Sequence, residues 1–237
     1  MALEGRVALV TGGAGYLGSA VTKRLLADGA RVVACERSQE RLDALAEELG
    51  APEALSTIAC DVLVEDEVRQ TVARVHDEHG GPDALLNIVG GFAGGTTVAE
   101  TELAMWERMM ALNLTSVFLC AKHALPLMLD AGFGRIVNIS SKAAEDLPAK
   151  RAAYAVSKAG VLSLTACMAK EVAATGVACA AILPSIIDTP ATRETRPKAD
   201  PARWVTPERI ADVIAWLIGE DAGAINGSVL RLYGELI

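Results

Sequence analysis

Residues 7–18 read VALVTGGAGYLG, a short apolar run that leads directly into a glycine-rich turn. Gly13, Gly15 and Gly18 fit the spacing G-x-G-x-x-G, and a segment of helical period follows them. In this order of strand, turn and helix, backbone N–H groups at the start of the helix can hold a pyrophosphate. We therefore predict that the turn binds a dinucleotide. The predicted contact residues are Gly12, Gly13, Gly15, Tyr16 and Leu17.

Apolar runs of strand length alternate with segments of helical period along the whole chain. The runs are apolar throughout, which indicates strands buried on both faces of a parallel sheet. The predicted strands are Arg6–Val10, Arg31–Cys35, Leu55–Cys60, Asp83–Val89, Arg135–Ser140, Val177–Leu183 and Ser228–Leu232. The predicted helices are Ser19–Asp28, Gln39–Leu49, Glu65–His79, Leu103–Leu129, Arg151–Thr175 and Pro207–Gly219. This order predicts an α/β fold: a Rossmann-type, doubly wound, seven-stranded parallel sheet with helices on both faces, in one domain over residues 1–237.

Composition and charge exclude several classes of protein. The chain has 237 residues, of which 51% are hydrophobic, enough to bury a sizeable core. It carries 22 Lys and Arg against 30 Asp and Glu, a net charge of −8. This acidic balance argues against a nucleic-acid partner, because such partners are held through contacts of basic residues with phosphates.

Targeting signals, cysteines and histidines give further expectations. The N-terminus lacks the pattern of a secretory signal peptide, and no run approaches the roughly 18 uninterrupted apolar residues of a membrane span. The five cysteines have no C-x-x-C spacing, which fits a reducing compartment. His76 and His79 have no third ligand near them in sequence, so we predict no metal site. We expect a cytoplasmic protein without a membrane or metal partner.

Acidic residues follow the second and third predicted strands, where a bound dinucleotide would place its adenosine. Glu36 is placed to accept hydrogen bonds from the ribose hydroxyls, and its charge would repel a 2′-phosphate, whereas Arg37 would attract one. We favour NAD(H), with NADP(H) as the alternative. Asp61, followed by Val62, is placed to bind the adenine amino group; a second, compatible role is to cap the helix that begins near Glu65.

Four polar residues form a candidate acid–base group. Tyr154 and Lys158 are four residues apart, so they share one face of a helix, and a neighbouring cation lowers the pKa of a phenol. Such a tyrosine can exchange a proton with an alcohol near neutral pH. Ser141 lies thirteen residues before Tyr154, and Asn113 lies inside a long helical segment, where its side chain competes with the backbone ladder.

The order and spacing of these four residues resemble the catalytic tetrad of the classical short-chain dehydrogenases/reductases, and residues 134–141, GRIVNISS, resemble the family's sequence before the serine. The resemblance implies that Tyr154 is the general acid/base and that Ser141 holds the substrate oxygen. Lys158 would bind the nicotinamide ribose and lower the tyrosine pKa, and Asn113 would hold a water in a proton relay. Residues 184–189 resemble the family's nicotinamide segment, which implies three further contacts: Pro184, Ile187 for the ring edge and Thr189 for the carboxamide.

The resemblance implies an NAD(P)-dependent oxidoreductase that interconverts a secondary alcohol and a ketone, with 3-oxoacyl reductase-like or hydroxy-substrate dehydrogenase activity among the candidates. It also implies a homotetramer or homodimer formed through the two long middle helices and the last strand. Two other interpretations stay open. One is an enzyme like the nucleotide-sugar epimerases, and the other is a dinucleotide-binding sensor or partner protein without turnover.

Three departures from the family pattern concern the coenzyme region. Tyr16 stands where the classical turn has glycine, so the turn resembles that of the family's extended members. After the fourth strand the family's Asn-Asn-Ala-Gly is replaced by residues 87–90, NIVG; Asn87 and Gly90 keep their positions near the coenzyme ribose. Ser185 replaces the glycine that normally follows Pro184.

The substrate pocket is predicted between three segments, Gly91–Thr101, Ala143–Arg151 and Pro190–Trp204. The third segment contains three prolines and alternating charge, which is typical of a flexible lid. Its basic residues either attract an acidic substrate or belong to a solvated loop. These residues are Arg193, Arg196, Lys198 and Arg203.

Overall fold

A computed structural model of the chain describes residues 3–236 and contains one seven-stranded parallel sheet. The strands are β1 (Val7–Thr11), β2 (Arg31–Glu36), β3 (Leu55–Ala59), β4 (Ala84–Asn87), β5 (Gly134–Ile139), β6 (Val177–Pro184) and β7 (Val229–Leu232). Their spatial order is β3-β2-β1-β4-β5-β6-β7. Strands are therefore added outward from β1 in one direction up to β3, and from β4 onward in the other direction. The predicted doubly wound, seven-stranded parallel sheet is confirmed.

Helices cover both faces of this sheet. The α-helices among the described residues are α1 (Tyr16–Ala27), α2 (Gln39–Glu48), α3 (Glu65–His79), α4 (Leu103–Met110), α5 (Ser116–Ala131), α6 (Ala143–Asp146), α7 (Ala152–Glu171), α8 (Pro190–Thr195) and α9 (Pro207–Leu217). Side chains of α3, α5 and α7 pack on one face, and those of α1 and α9 pack on the other. The central strands β1, β4, β5 and β6 are buried along their whole length, which fits their largely apolar sequences, whereas the edge strands β3 and β7 are partly exposed.

The longest predicted helix is interrupted. We expected one helix over Leu103–Leu129, but α4 and α5 are joined by a π-helical turn, Ala111–Thr115, with Asn113 at its centre. A π turn places one extra residue in the helical ladder, and such turns are frequent at functional sites. The side chain of Asn113 forms hydrogen bonds with the backbone of Gly91, outside the helix. These bonds account for an asparagine in the middle of a helical segment, at the point where the α-helix is interrupted.

Two helical stretches within residues 3–236, Leu103–Ala131 and Ala152–Glu171, are long and apolar enough to cross a membrane by length and composition alone. About 44% of each apolar window is buried inside the fold, where α5 and α7 pack on the sheet. A helix that covers a sheet in a protein core passes the same test, so this finding is weak evidence for a membrane span.

Candidate active site

The carboxyl ends of β1, β4, β5 and β6 meet at one edge of the sheet, and a side-chain hydrogen bond joins the first two of them. The hydroxyl of Thr11 donates to the carbonyl of Leu86 (3.2 Å) and accepts from the N–H of Ile88 (3.1 Å). The ends of β1 and β4 are therefore fixed relative to each other at the point where the strand order reverses. In doubly wound sheets this point is where ligands bind.

The glycine turn after β1 is packed too tightly to hold side chains at two of its positions. A Cβ placed on Gly18 would lie 1.9 Å from the carbonyl oxygen of Gly12, and one on Gly13 would lie 2.8 Å from the Cβ of Ala34. Helix α1 begins directly after Gly15, and its first turn contains no acidic residue. The turn thus presents backbone N–H groups and the positive end of the helix, which fits the phosphates of a dinucleotide.

Glu36 at the end of β2 is held by two groups on its own side of the site. Its carboxylate accepts from the backbone N–H of Arg37 (3.0 Å) and pairs with the guanidinium of Arg41 (3.5 Å). Arg41 also donates to the carbonyl of Ala14 in the glycine turn (2.9 Å). Arg41 was not among the residues predicted from the sequence. Its position near the start of the helix that follows Glu36 is the one sequence feature that indicates a place near this site.

Asp61 lies after β3, and its side chain accepts a hydrogen bond from the N–H of Leu63 (3.0 Å). The second predicted role, that Asp61 caps the next helix, is wrong, because the N-terminal cap of α3 is Val64 and no side chain bonds to it. Val62 is buried. The predicted contacts of Asp61 and Val62 with an adenine stay predictions.

Asn87 contributes its side chain to a buried network rather than to the surface of the site. Its amide donates to Asn138 (2.8 Å), whose amide donates to Thr165 on α7 (2.9 Å). This network joins β4, β5 and α7. Any contact between Asn87 and a coenzyme would therefore use its backbone or its side-chain oxygen rather than the amide nitrogen.

Asn113 connects the π turn to two neighbouring segments. Its side-chain oxygen accepts from the N–H of Gly91 (2.9 Å), and its amide donates to the carbonyl of Gly91 (3.1 Å) and to the hydroxyl of Ser157 (3.0 Å). Ser157 in turn donates to the carbonyl of Tyr154 (2.8 Å). Ser157 was not predicted as a site residue, because in the sequence it is only one of the residues between Tyr154 and Lys158.

Lys158 is buried, and its ammonium donates to the carbonyl of Ile139 at the end of β5 (2.8 Å). Burial lowers the pKa of Lys158 to about 8. A Cβ on Gly90 would lie 3.1 Å from the Lys158 nitrogen and 3.0 Å from the side-chain oxygen of Asn113. Only a glycine leaves room here, and the space beside the ammonium fits the ribose of a nicotinamide coenzyme.

Tyr154 and Ser141 complete the group. The hydroxyl of Ser141 accepts from the N–H of Ala143 (3.2 Å). Burial raises the pKa of Tyr154 above its usual value, while a hydrogen bond with Ser141 and the charge of Arg151 act in the opposite direction. The expectation that Lys158 lowers the pKa of Tyr154 is therefore wrong for the protein alone, since desolvation dominates and the nearby cation that acts on Tyr154 is Arg151.

The burial of Lys158 predicts a pH-dependent cost to stability. An unfolded lysine has a pKa near 10.4, so between about pH 8 and pH 10.4 the unfolded chain binds more protons than the folded one. Folding stability should rise through this window, by roughly 3 kcal/mol for this single group. We expect Lys158→Met to be more stable than the parent at pH 7 and to lose this rise, as measured by urea unfolding without added coenzyme. Lys170→Met, which removes an exposed ammonium from the same helix, should keep the parent's profile; an unchanged profile in Lys158→Met would contradict the prediction.

Comparisons with known proteins decide the family. The family profile described as short chain dehydrogenase matches residues 6–200. The chain belongs to the short-chain dehydrogenase family. It is 32% identical to 3-oxoacyl-(acyl-carrier-protein) reductase of Thermotoga maritima over 246 residues, with 100% of both chains covered. It is 35% identical to cis-4-hydroxycyclohexanecarboxylate dehydrogenase of Sinomonas cyclohexanicum over 238 residues, covering 97% of this chain and 95% of the relative.

A solved structure of an actinorhodin polyketide ketoreductase with NADPH has the same fold. The two structures align with a TM-score of 0.91 at 33% sequence identity, covering 98% of this chain and 97% of the other. The predicted membership of this chain in the short-chain dehydrogenase family is thus confirmed by sequence and by structure. The roles of its individual site residues stay predictions.

The side chains at the three departures from the family pattern have defined places in this short-chain dehydrogenase. The side chain of Tyr16 is 58% exposed, so it projects outward from the glycine turn. The hydroxyl of Ser185 donates to the carbonyl of Tyr233 (2.8 Å), beyond the last strand. Ile88 and Val89 pack against opposite apolar clusters of the core. None of these substituted side chains interrupts the strand–turn–helix path that carries the predicted contacts.

The segment after β6 contains the short helix α8, and its role as a flexible lid stays a prediction. Thr189 caps α8 by accepting from the N–H of Thr192 (3.2 Å), and Ile187 pairs with Val205. Trp204 is only 3% exposed and packs into the fold at the end of the segment. Pro184, Ile187 and Thr189 remain at the carboxyl end of β6, and their nicotinamide contacts stay predictions.

Proposed function

We propose that this chain is an NAD(P)-dependent oxidoreductase that interconverts a secondary alcohol and a ketone, with Tyr154 as its general acid/base. Membership of the short-chain dehydrogenase family makes it an oxidoreductase. The observation that supports the finer proposal is the grouping of Tyr154, Ser141 and buried Lys158 beside the space that Gly90 leaves open. A protein that only binds a dinucleotide does not need a desolvated tyrosine at that place.

The coenzyme would be held along the carboxyl edge of the sheet. Its phosphates fit the start of α1, its adenosine lies towards Glu36, and its nicotinamide ribose fits beside Lys158. When bound, it supplies or accepts the hydride. The proposed contacts are Gly12, Gly13, Gly15, Tyr16, Leu17, Glu36, Arg37, Asp61, Val62, Asn87, Gly90, Tyr154, Lys158, Pro184, Ile187 and Thr189.

The protein's own contribution is to place the substrate oxygen and to move a proton. Ser141 would donate a hydrogen bond to the substrate oxygen and hold it at the hydroxyl of Tyr154. Tyr154 would give its proton to this oxygen during ketone reduction and take it back during alcohol oxidation. The ammonium of Lys158 lies next to the space for the ribose, so its charge favours the phenolate form of Tyr154 once bound groups exclude water.

Asn113 has a positioning role in this proposal. Both N–H groups of its amide and one lone pair of its oxygen are used by Gly91 and Ser157. The side chain thus fixes the loop after β4 and, through Ser157, the turn of α7 that carries Tyr154. The relay water that the family resemblance implies would have to bind other atoms of the π turn.

The coenzyme preference follows from the surroundings of Glu36. Two arginines, Arg37 and Arg41, lie near Glu36, and the Glu36 carboxylate already pairs with Arg41. We propose NAD(H), because a 2′-phosphate would have to approach Glu36 directly, and a repulsive charge is an efficient way to reject a ligand. The solved ketoreductase with NADPH keeps NADP(H) as the alternative.

A fluorescence titration tests the coenzyme and its preference together. We expect the parent to bind NADH about 10-fold more tightly than NADPH, and Glu36→Ala to remove or reverse this ratio, because Arg37 and Arg41 would then face the 2′-phosphate unopposed. Glu40→Ala removes an exposed carboxylate from the next helix and should leave the ratio unchanged. Tighter NADPH binding by the parent would contradict the preference, and binding of neither would contradict the coenzyme assignment.

We further propose a homotetramer or homodimer. Large apolar side chains of the middle helices, Trp106, Phe118, Leu129 and Val156, are 37–47% exposed in the isolated chain. A second copy would cover them. Sedimentation equilibrium at micromolar concentration measures the mass directly, and a monomer there would contradict this proposal.

A further inference from the structure

Arg151 lies beside the proposed acid/base without a polar partner. Its guanidinium carbon is 5.4 Å from the centre of the Phe92 ring, and that ring meets the Tyr154 ring edge-on, with centroids 5.0 Å apart at 76°. Within residues 3–236 the guanidinium has this ring contact but no hydrogen bond and no carboxylate. Its charge nevertheless reaches the site, because it lowers the pKa of Tyr154.

The loop after β4 fixes the position of Arg151. The N–H of Gly95 donates to the carbonyl of Lys150 (2.7 Å). A Cβ on Gly94 would lie 3.0 Å from Cγ of Arg151 and 3.3 Å from the Phe92 ring, so backbone packs directly against the arginine stem. The stem of Arg151 is therefore held against this loop before any substrate arrives, which reduces the ordering cost of binding.

Two of the four basic residues in the third predicted pocket segment, Arg193 and Arg203, already have partners within the protein. Arg193 forms a two-pronged ion pair with Asp188 (2.7 and 2.8 Å), and Arg203 donates to the carbonyl of Glu235 (3.3 Å). Their charges are already directed at groups of the protein. Arg151, in contrast, is an unpaired planar donor near Tyr154, beside a Phe92 side chain that is 59% exposed. An unpaired guanidinium next to an exposed aromatic ring suits a ligand that has both an anionic and an apolar part.

We propose that Arg151 binds an anionic group of the substrate while Phe92 packs on its apolar part, so that the alcohol or ketone is an acid rather than a neutral molecule. The inference rests on the proposed function, because it needs the reacting oxygen to lie at Tyr154. Two sources offer the same chemistry: the carboxylate of a small hydroxy or oxo acid, and the phosphate of a carrier-linked thioester. The relative that dehydrogenates a hydroxycyclohexanecarboxylate and the relative that reduces carrier-linked 3-oxoacyl groups represent one source each.

Two matched pairs of probes separate the sources by calorimetric titration into the protein–NADH complex. The first pair is cyclohexanecarboxylate and its neutral amide, and the second is 4′-phosphopantetheine and pantetheine. We expect the charged member of one pair to bind the parent about 10- to 100-fold more tightly than its neutral partner, and the pair that responds identifies the source. The preference should weaken as ionic strength rises, which a purely structural arginine would not produce.

Variants assign that preference to Arg151. Arg151→Gln should reduce the affinity ratio of the charged to the neutral probe to about one, and Arg151→Lys should keep part of it. Arg31→Gln removes an exposed guanidinium from the start of β2, away from the carboxyl edge of the sheet, and should leave the ratio unchanged. Equal binding of charged and neutral members in both pairs overturns the proposal, as does an unchanged ratio in Arg151→Gln. Failure of the parent to bind NADH would contradict the proposed function instead; the same ratios, measured on the protein alone, would still decide the role of Arg151.

Discussion

Tyr154→Phe should reduce turnover by about 10²- to 10⁴-fold, the usual contribution of a positioned general acid or base. The substitution removes one hydroxyl and keeps the ring, so the edge-on contact with Phe92 is preserved. NADH affinity should stay within about threefold, because the predicted phosphate and adenosine contacts lie on other elements. The measurement is the rate of change in reduced-nicotinamide absorbance with a panel of secondary alcohols and ketones, alongside the fluorescence titration.

A second tyrosine gives the matched control. The hydroxyl of Tyr233 donates to Glu145 (2.9 Å) after the last strand, so Tyr233→Phe removes the same group from a residue that has no proposed role in proton transfer. Its turnover should remain within a few-fold of the parent. Full turnover by Tyr154→Phe would overturn the acid–base assignment, whereas coenzyme binding by a parent that turns over no member of the panel would favour the binding-protein alternative.

The fold was predictable because its determinants are local in sequence. Most strands are largely apolar runs, and α3 has the predicted bounds, Glu65–His79, since its apolar residues recur at helical spacing and Gly80 follows with a left-handed backbone, φ +75°. The helix ends differ by only a few residues. The π turn could not be predicted from periodicity, because it depends on the bonds between Asn113 and Gly91, twenty-two residues away.

The site was predictable only where its residues follow strand ends or a fixed spacing. Arg41 meets Ala14 across 27 residues, and Phe92 meets Tyr154 through a loop without a regular pattern, so neither contact leaves a signal in the sequence. The direction of the Tyr154 pKa was missed for the same reason. Helical spacing places Lys158 on the correct face, but the carbonyl that its ammonium contacts and the extent of burial are properties of the assembled fold.

Gly18→Ala should destabilise the whole protein. The added Cβ would lie 1.9 Å from the carbonyl oxygen of Gly12 and 2.8 Å from Cα of Gly13, and both are backbone atoms that cannot rotate away. Relief requires α1 to move off β1, which opens the apolar contacts between this helix, α9 and the sheet. We expect a loss of about 3 kcal/mol or more, the upper range for overpacking, and a melting temperature roughly 6–12 °C lower for a chain of this size.

Gly15→Ala separates this effect from an effect on the coenzyme. It makes the same chemical change in the same turn, but its Cβ would lie 3.2 Å from the oxygen of Gly12 and 3.8 Å from Arg41, at an ordinary negative φ of −80°. Its melting temperature should stay near that of the parent, while NADH binding weakens because the methyl group stands where the phosphates would approach the start of α1. Thermal unfolding and the NADH titration together distinguish the two variants: Gly18 maintains helix–strand contact, and Gly15 leaves room for a ligand. Equal stability of Gly18→Ala and the parent would show that α1 can shift without loss, and the packing argument for this turn would then be wrong.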